Sequence, residues 1–416
     1  MRGRKYTLSD TKEKRNTKVI NEKIMEDKRS SVKNKKRRLI IAGAAVVATI
    51  LIIVFFATGA YESFLDLLGI QRDVSVMPTI TEVSAEFKGD VYLSGISDVS
   101  MIYDEQGVTG YDKSGKWIWN EACSVKKPMI LKSDNYVLIA ELGGTAIYAF
   151  NKDGAYWKYG VDNNIISVFC RDNYVGVIHE ESEYLSAVTL LQYDAESKVI
   201  REKFTRKISN HYMITGAISL DCKQIVLSGM YSEAGKPCGI MSFIKVSDGE
   251  TFANEVIEDN VYVKVGYSDN DTVFALNSDS VYIITKELSV SSANDKCEEK
   301  WNRNKNKGYI VDAELLAEGS LVTSVVGNSP EKSTIRKFDK DGNESLSFEI
   351  DGNVIGMDSK NNNFLVYTNT HVFMYNSKGQ LIFSQEAGYE IEAAVCYGEK
   401  SIAIYTKEKM LSISYE

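Results

Sequence analysis

The chain has 416 residues, 44% of them hydrophobic and 25% charged, with 49 Lys and Arg against 57 Asp and Glu for a net charge of −8. That balance excludes an unfolded polyelectrolyte and gives no footprint for nucleic acid over the bulk of the chain. The charge is unevenly placed: residues 1–38 hold 15 basic against 5 acidic side chains, net +10, and the remainder holds 34 against 52, net −18.

The first 38 residues are polar and lack a sustained apolar stripe, so they read as a basic tail that does not fold alone. It ends in Lys35, Lys36, Arg37 and Arg38, set directly against Leu39–Gly59, twenty-one residues without a charge. At about 1.5 Å per residue a helix of that length spans about 31 Å, which matches a bilayer core of roughly 30 Å. The basic cluster predicts a cytoplasmic N-terminus, inner-leaflet contact and a single crossing of the cytoplasmic membrane. Ala57-Thr58-Gly59-Ala60 offers small residues for a signal peptidase, but the apolar run exceeds the about 7–15 residues of a cleavable segment, so an uncleaved anchor is expected. Residues 60–74 form a juxtamembrane linker, within which Tyr61–Ile70 places Phe64, Leu65, Leu67 and Leu68 as a short interfacial helix. Pro78 stops any helix.

Residues 75–416 read as strand after strand, rich in Val, Ile, Tyr and Phe and punctuated by Gly, Asn, Asp and Ser. One element recurs: an aromatic residue, then Asp or Asn, two polar residues, and Gly. It stands at Tyr111-Asp112-Lys113-Ser114-Gly115, Phe150-Asn151-Lys152-Asp153-Gly154, Phe338-Asp339-Lys340-Asp341-Gly342 and Tyr375-Asn376-Ser377-Lys378-Gly379, with looser copies at Tyr193–Ser197 and Val246–Gly249. Asp or Asn opens a turn, and Gly takes the left-handed position that closes a hairpin. The aromatic leaders are 39, 188 and 37 residues apart, and a period near about 40 with four strands per unit is that of a β-propeller blade.

Eight hairpins suit the middle strands of blades: Ser100–Asp112, Tyr136–Phe150, Tyr174–Tyr193, Gln224–Val246, Thr272–Thr285, Ser320–Phe338, Phe364–Tyr375 and Ser401–Ser414. The last lacks a following strand and the segment Val74–Phe87 lacks a preceding blade, so the N-terminal strand is expected to complete the C-terminal blade and close the ring. The expected fold is all-β, an eight-bladed propeller with seven blades as the alternative, preceded by one transmembrane helix. The polar stretch Glu287–Lys307 makes the fifth blade irregular, as an insertion or a ragged outer strand.

The turn element with its downstream Trp117 and Trp119 resembles the repeat of quinoprotein-like propellers, which carry PQQ-like repeats. The tail, anchor and outer propeller together resemble a family of single-pass membrane proteins of Gram-positive bacteria grouped as a domain of unknown function. Within the superfamily, quinone-dependent dehydrogenases use adjacent cysteines, a Trp floor and acidic calcium ligands. No two cysteines are adjacent here and no such ligand set is evident, so no cofactor is expected. The non-enzymatic branch, exemplified by the propeller lipoprotein of the outer-membrane assembly machine, is the better analogy.

Little else points to chemistry. His179, His211 and His371 lie in or beside strands without metal-ligand spacing, and no zincin, phosphate-loop or nucleophile-elbow motif is present. Glu180-Glu181-Ser182-Glu183 and Asp269-Asn270-Asp271 fall where the repeat requires loops, as does Lys340-Asp341-Gly342-Asn343, and Gly143-Gly144 suffices as a hairpin turn. Trp117, Trp119 and Trp157 belong to outer strands and should pack between blades. Cys123, Cys170, Cys222, Cys238, Cys297 and Cys396 form no paired framework; Cys222 and Cys238, at the starts of successive antiparallel strands, should lie apart, so most are read as buried thiols. No catalytic or metal residue is assigned. The functional expectation is a membrane-tethered, extracytoplasmic, non-catalytic scaffold that docks an envelope protein. A receptor for wall glycan or a small molecule is the alternative, and an enzyme would require side chains converging on the ring axis.

Overall fold

A computed structural model describes residues 78–415, apart from 84, 258–259, 279, 286–297, 300–307, 328–330 and 408. The basic tail with Lys35, Lys36, Arg37 and Arg38, the apolar segment 39–59 and the linker 60–74 lie outside the described residues. Among the described residues no helix is long and apolar enough to cross a membrane.

The described chain is eight four-stranded antiparallel sheets. β1 (Thr79–Val83) belongs to the closing blade. Blade 1 is β2 (Tyr92–Ile96), β3 (Val99–Asp104), β4 (Gly107–Tyr111) and β5 (Trp117–Glu121); blade 2 is β6 (Pro128–Lys132), β7 (Val137–Glu141), β8 (Ala146–Asn151) and β9 (Gly154–Gly160). Blade 3 is β10 (Ile165–Arg171), β11 (Tyr174–Glu181), β12 (Tyr184–Asp194) and β13 (Val199–Ile208); blade 4 is β14 (Tyr212–Ile218), β15 (Gln224–Glu233), β16 (Lys236–Lys245) and β17 (Thr251–Ile257). Blade 5 is β18 (Lys264–Tyr267), β19 (Thr272–Leu276), β20 (Val281–Thr285) and β21 (Glu298–Glu299); blade 6 is β22 (Gly308–Leu315), β23 (Leu321–Gly327), β24 (Lys332–Phe338) and β25 (Glu344–Asp351). Blade 7 is β26 (Val354–Lys360), β27 (Asn363–Thr368), β28 (His371–Tyr375) and β29 (Leu381–Glu386), and blade 8 is β30 (Ile391–Gly398), β31 (Ser401–Thr406) and β32 (Met410–Ser414) with β1 outermost.

All eight expected hairpins fall on the second and third strands of a blade. The closure is also as expected: β1 pairs with β32 from Thr79 opposite Ser414 to Val83 opposite Met410, and Lys409 reaches Glu82 at 2.8 Å. This joins the first and last described strands in one blade and covers the edge of β32. In blade 5 the described part of the outer strand is Glu298–Glu299; the rest of the polar stretch 287–307, expected to be an insertion or a ragged strand, lies outside the described residues.

The middle strands carry the core because both faces of each sheet are covered by neighbouring blades. Ile102, Leu138, Ile139, Val177, Leu190, Phe243, Phe274, Val322, Phe364 and Ile404 are almost fully buried. Outer strands alternate instead, as in β13 and β25, with one face on the next blade and one in solvent.

The recurring Asp/Asn-to-Gly element forms the turn between third and fourth strands, always on one face of the ring. Asp112 Oδ1 accepts the amides of Ser114 and Lys116 at 2.9 and 3.0 Å. Asp339 does the same for Asp341 and Asn343, and Asn376 for Lys378 and Gln380. In blade 2 the turn is one residue shorter, and Asn151 pairs directly with Gly154. The backbone at Gly379 is left-handed, φ +76°, and a Cβ added there would overlap Leu346 on the outer strand of the preceding blade.

These turns also bind the blades together, because a donor on each of four blades bonds a turn carbonyl of the next. Ser412 Oγ donates to Lys113 O at 2.9 Å, Trp119 Nε1 to Lys152 O at 2.9 Å, Arg206 to Gly249 O at 3.2 Å and Lys337 Nζ to Ser377 O at 2.5 Å.

Candidate functional site in the central channel

The first strand of every blade lines the ring axis. These strands contact one another from β22 through β26, β30, β2, β6, β10 and β14 to β18, and Lys264 on β18 bridges to β22. Along the channel, five charged side chains from four blades meet. Lys132 Nζ at the end of β6 lies 2.6 Å from Asp358 Oδ1 on β26, and donates to the carbonyls of Ser359 and Cys396, both at 3.2 Å. Asp358 Oδ2 accepts the Cys396 amide at 2.6 Å. Lys264 Nζ is 3.2 Å from Asp312 and 3.4 Å from Glu314, and also donates to Ala313 O. Asp312 Oδ2 accepts the Met357 amide at 3.0 Å and Glu314 accepts Ser359 Oγ at 3.0 Å.

Burial and pairing act against each other in this network. Burial disfavours the charge on Lys132, but Asp358, with smaller contributions from Cys396 and Glu314, outweighs it and the ammonium pKa moves up. Lys264 behaves the same way between Glu314 and Asp312. Burial raises the Glu314 pKa most, Lys264 pulls it down, Asp358 and Asp312 push it up by repelling its charge, and the net direction is up. Burial also places the Cys396 thiol well above its usual range. A buried pair of this kind holds geometry more than it adds stability, since desolvation cancels most of the attraction.

Sequence reasoning missed all five charges. The only signal was a lone charged residue near the end of an apolar first strand, as in Ile130-Leu131-Lys132 or Gly356-Met357-Asp358, and nothing in the sequence says that strands 226 residues apart face one axis.

The expected residues fall elsewhere. Asp112, Gly115, Asn151, Gly154, Asp339, Gly342, Asn376 and Gly379 form the hairpin turns of one rim and meet one another nowhere near the axis. His179 is buried with its ring between Glu180 O and Thr189 Oγ1 at 2.8 and 2.9 Å. Burial lowers the pKa of His211, which packs edge-on against Tyr231, and His371 bonds Thr370 at 2.9 Å. Glu180, Glu181 and Glu183 flank the β11–β12 turn and Asp269–Asp271 form the β18–β19 turn, where Asp269 Oδ1 accepts the amides of Asp271 and Thr272. Among the described residues no three His, Cys, Asp or Glu side chains are grouped to hold a metal ion.

Trp119 packs between blades, stacked on Phe150 at 6.3 Å, and Trp157 sits edge-on to Tyr136 at 5.9 Å. Trp117 departs from the expectation, with 59% of its surface exposed. The register shift between Gly110 and Tyr111 breaks the alternation of β5 and turns Trp117 outward. Cys123, Cys170, Cys222, Cys238 and Cys396 are all free thiols; Cys297 lies outside the described residues. Cys222 stands in the turn before β15 rather than at its start, and Cys238 pairs with Tyr231 at the far end of that hairpin.

The class is therefore a closed eight-bladed β-propeller with an ion-paired channel. The chain belongs to the family of unknown function DUF5711, whose model matches residues 75–414. No curated protein matches it. Among solved structures it is similar to Sqt1 of Saccharomyces cerevisiae, with TM-score 0.56 and 8% identity over 83% of this chain and 99% of that one. It is also similar to the C-terminal WD40 domain of Sif2, with TM-score 0.52 and 11% identity over 80% and 99%. BamB from Moraxella catarrhalis matches at TM-score 0.47 and 10% identity over 81% and 100%. At such identities the first two speak for the fold alone.

Proposed function

We propose that this protein is a non-catalytic interaction scaffold, tethered to the cytoplasmic membrane by residues 39–59 and presenting its propeller to a partner protein of the cell envelope. The observation that carries the reading is the state of the axial carboxylates. Asp312, Glu314 and Asp358 are each committed to a lysine and to an amide or hydroxyl of a neighbouring blade. Groups so engaged brace the ring, whereas a catalytic acid or base needs a face open to substrate. Tethering rests on the charge step from Arg38 to Leu39 and the length of the apolar run.

A second reading, a receptor for glycan or a small molecule, draws on the exposed tyrosines Tyr184, Tyr212, Tyr309 and Tyr389. They stand on blades 3, 4 and 6 and on the link from blade 7 to blade 8, a spread that suits an extended protein partner better than a single sugar or small molecule, so the scaffold is preferred. Crosslinked purification from native membranes tests it, since a scaffold yields a stoichiometric protein and a receptor yields glycan or a small molecule. Alkaline extraction and protease protection of intact cells test the tether: the chain should stay in the membrane and the propeller should be digested from outside.

A further inference from the structure

The channel mouth on the face where each outer strand crosses to the next blade has an unusual lining. Near its start, the first strand of several blades carries a β-bulge: register shifts skip the half-buried Ile214 in β14 and the exposed Ile166 in β10, Val311 in β22 and Ile355 in β26. In blade 5 the amide of Val263 bonds Leu276 while Lys264 is that residue's register partner, so Val263 takes the same place. A bulged residue leaves the alternation of its strand, and these bulges sit near the starts of the strands that line the channel. Together with Tyr212 and Tyr309 at the starts of β14 and β22, Ile166, Val263, Val311 and Ile355 are between 36 and 69% exposed. Scattered apolar residues on a surface mean little, but an arc of them over five consecutive blades is a recognition surface.

The eighth blade breaks the pattern. There the skipped residue is Glu392, which shares a cavity of about 550 Å³ with Asp90, Tyr92, Tyr405 and Lys407. Lys407 is paired with Glu390 at 2.7 Å. The carboxylates of Asp90 and Glu392 have no hydrogen-bond or ion-pair partner among the described residues. Exposed apolar side chains thus stand at the first-strand starts of blades 3 to 7, beside the half-exposed Lys264 and its Asp312 pair, and two unpaired carboxylates stand between blades 8 and 1.

We propose that this mouth docks a protein segment carrying large apolar side chains together with a lysine or arginine. The apolar side chains lie over Val263, Tyr309, Val311 and Ile355, and the cation enters the cavity between Asp90 and Glu392. This deepens the scaffold reading and rests on it by naming the face and the kind of partner. Apolar burial supplies affinity, and the acidic sector supplies orientation and discrimination.

The test uses the full chain in nanodiscs of neutral lipid and three synthetic peptides bearing photoreactive leucine: alternating Leu and Lys, alternating Leu and Glu, and a Ser and Lys peptide with one photoreactive leucine. The Leu/Lys peptide should crosslink at the mouth, and the other two at least about tenfold less. Val263→Asp with Ile355→Asp should reduce the Leu/Lys yield about tenfold, and Asp90→Lys with Glu392→Lys should shift preference to Leu/Glu, a gain that misfolding cannot produce. Crosslinks away from the mouth, equal yields for the three peptides, or no change in either variant would overturn the site. If a native partner is recovered equally by the wild type and the charge-reversed chain, the site falls and the scaffold stands. If the wild type recovers none, the scaffold falls.

Discussion

Lys132 on blade 2 and Asp358 on blade 7 meet at 2.6 Å across the channel, a contact between residues 226 positions apart. The pair links blades that stand three places apart around the ring. Removing one partner leaves a largely buried charge unpaired, which costs more than the pair itself contributes. Lys132→Met should therefore lower stability by about 2 kcal/mol, a figure reduced because the lysine side chain keeps 23% of its surface in water. Asp358→Asn in the same chain should restore about half of that loss, since the amide oxygen still accepts from Cys396. Urea unfolding of the single and double variants reads the coupling directly.

Glu314 gives the channel a pH dependence. Burial raises its pKa in the folded state, so the folded chain holds this proton more tightly than the unfolded chain. Its contribution is fully present below the unfolded value of about 4.3 and is lost as pH rises through the folded value. Glu314→Gln should flatten the fall of melting temperature as pH rises above the unfolded value and be at least as stable as the wild type once the wild-type carboxyl is ionised. A steeper fall in the variant would show that the Lys264 contact outweighs burial.

The turn glycines separate strain from crowding. Gly143 and Gly379 are both left-handed, at φ +72° and +76°, but the first has open space around it and the second lies against Leu346. Gly143→Ala should cost about 1 kcal/mol from backbone strain alone. Gly379→Ala should cost about 2–3 kcal/mol, because overpacking adds to it. Equal losses in thermal unfolding would show that the blade contact is slack.

Ring closure makes the N-terminal strand indispensable. Deleting residues 1–74 spares β1 and should leave a folded soluble propeller, whereas deleting 1–84 removes β1 and bares the edge of β32. The shorter chain should melt lower and self-associate, as size-exclusion chromatography with light scattering would show.

The thiols should be silent in the native state. Burial pushes Cys123, Cys170 and Cys222 up to about 12, and the Asp172 carboxylate beside Cys222 adds to the effect there. Thiolate is the reactive form, so these three should label with iodoacetamide at neutral pH only after unfolding.

The fold was legible because its signals are local and repeated. Asp112, Asp339 and Asn376 cap turns that any short window shows, and the strand missing after Ser414 matches the surplus one before Phe87. The channel was not legible, because Lys132, Lys264, Asp312, Glu314 and Asp358 converge only once the ring is closed. The bulges at Ile166, Val311 and Ile355 were hidden for a related reason: in a strand pattern an outward bulged valine looks like an inward one. Trp117 shows the same limit, since one register shift decides whether it packs or faces water.

The most direct measurement is crosslinked affinity purification of the full-length chain from its native membranes, beside a control of residues 1–90. The account predicts a stoichiometric protein recovered only when the propeller is present. Recovery of glycan or a small molecule with no protein would contradict it.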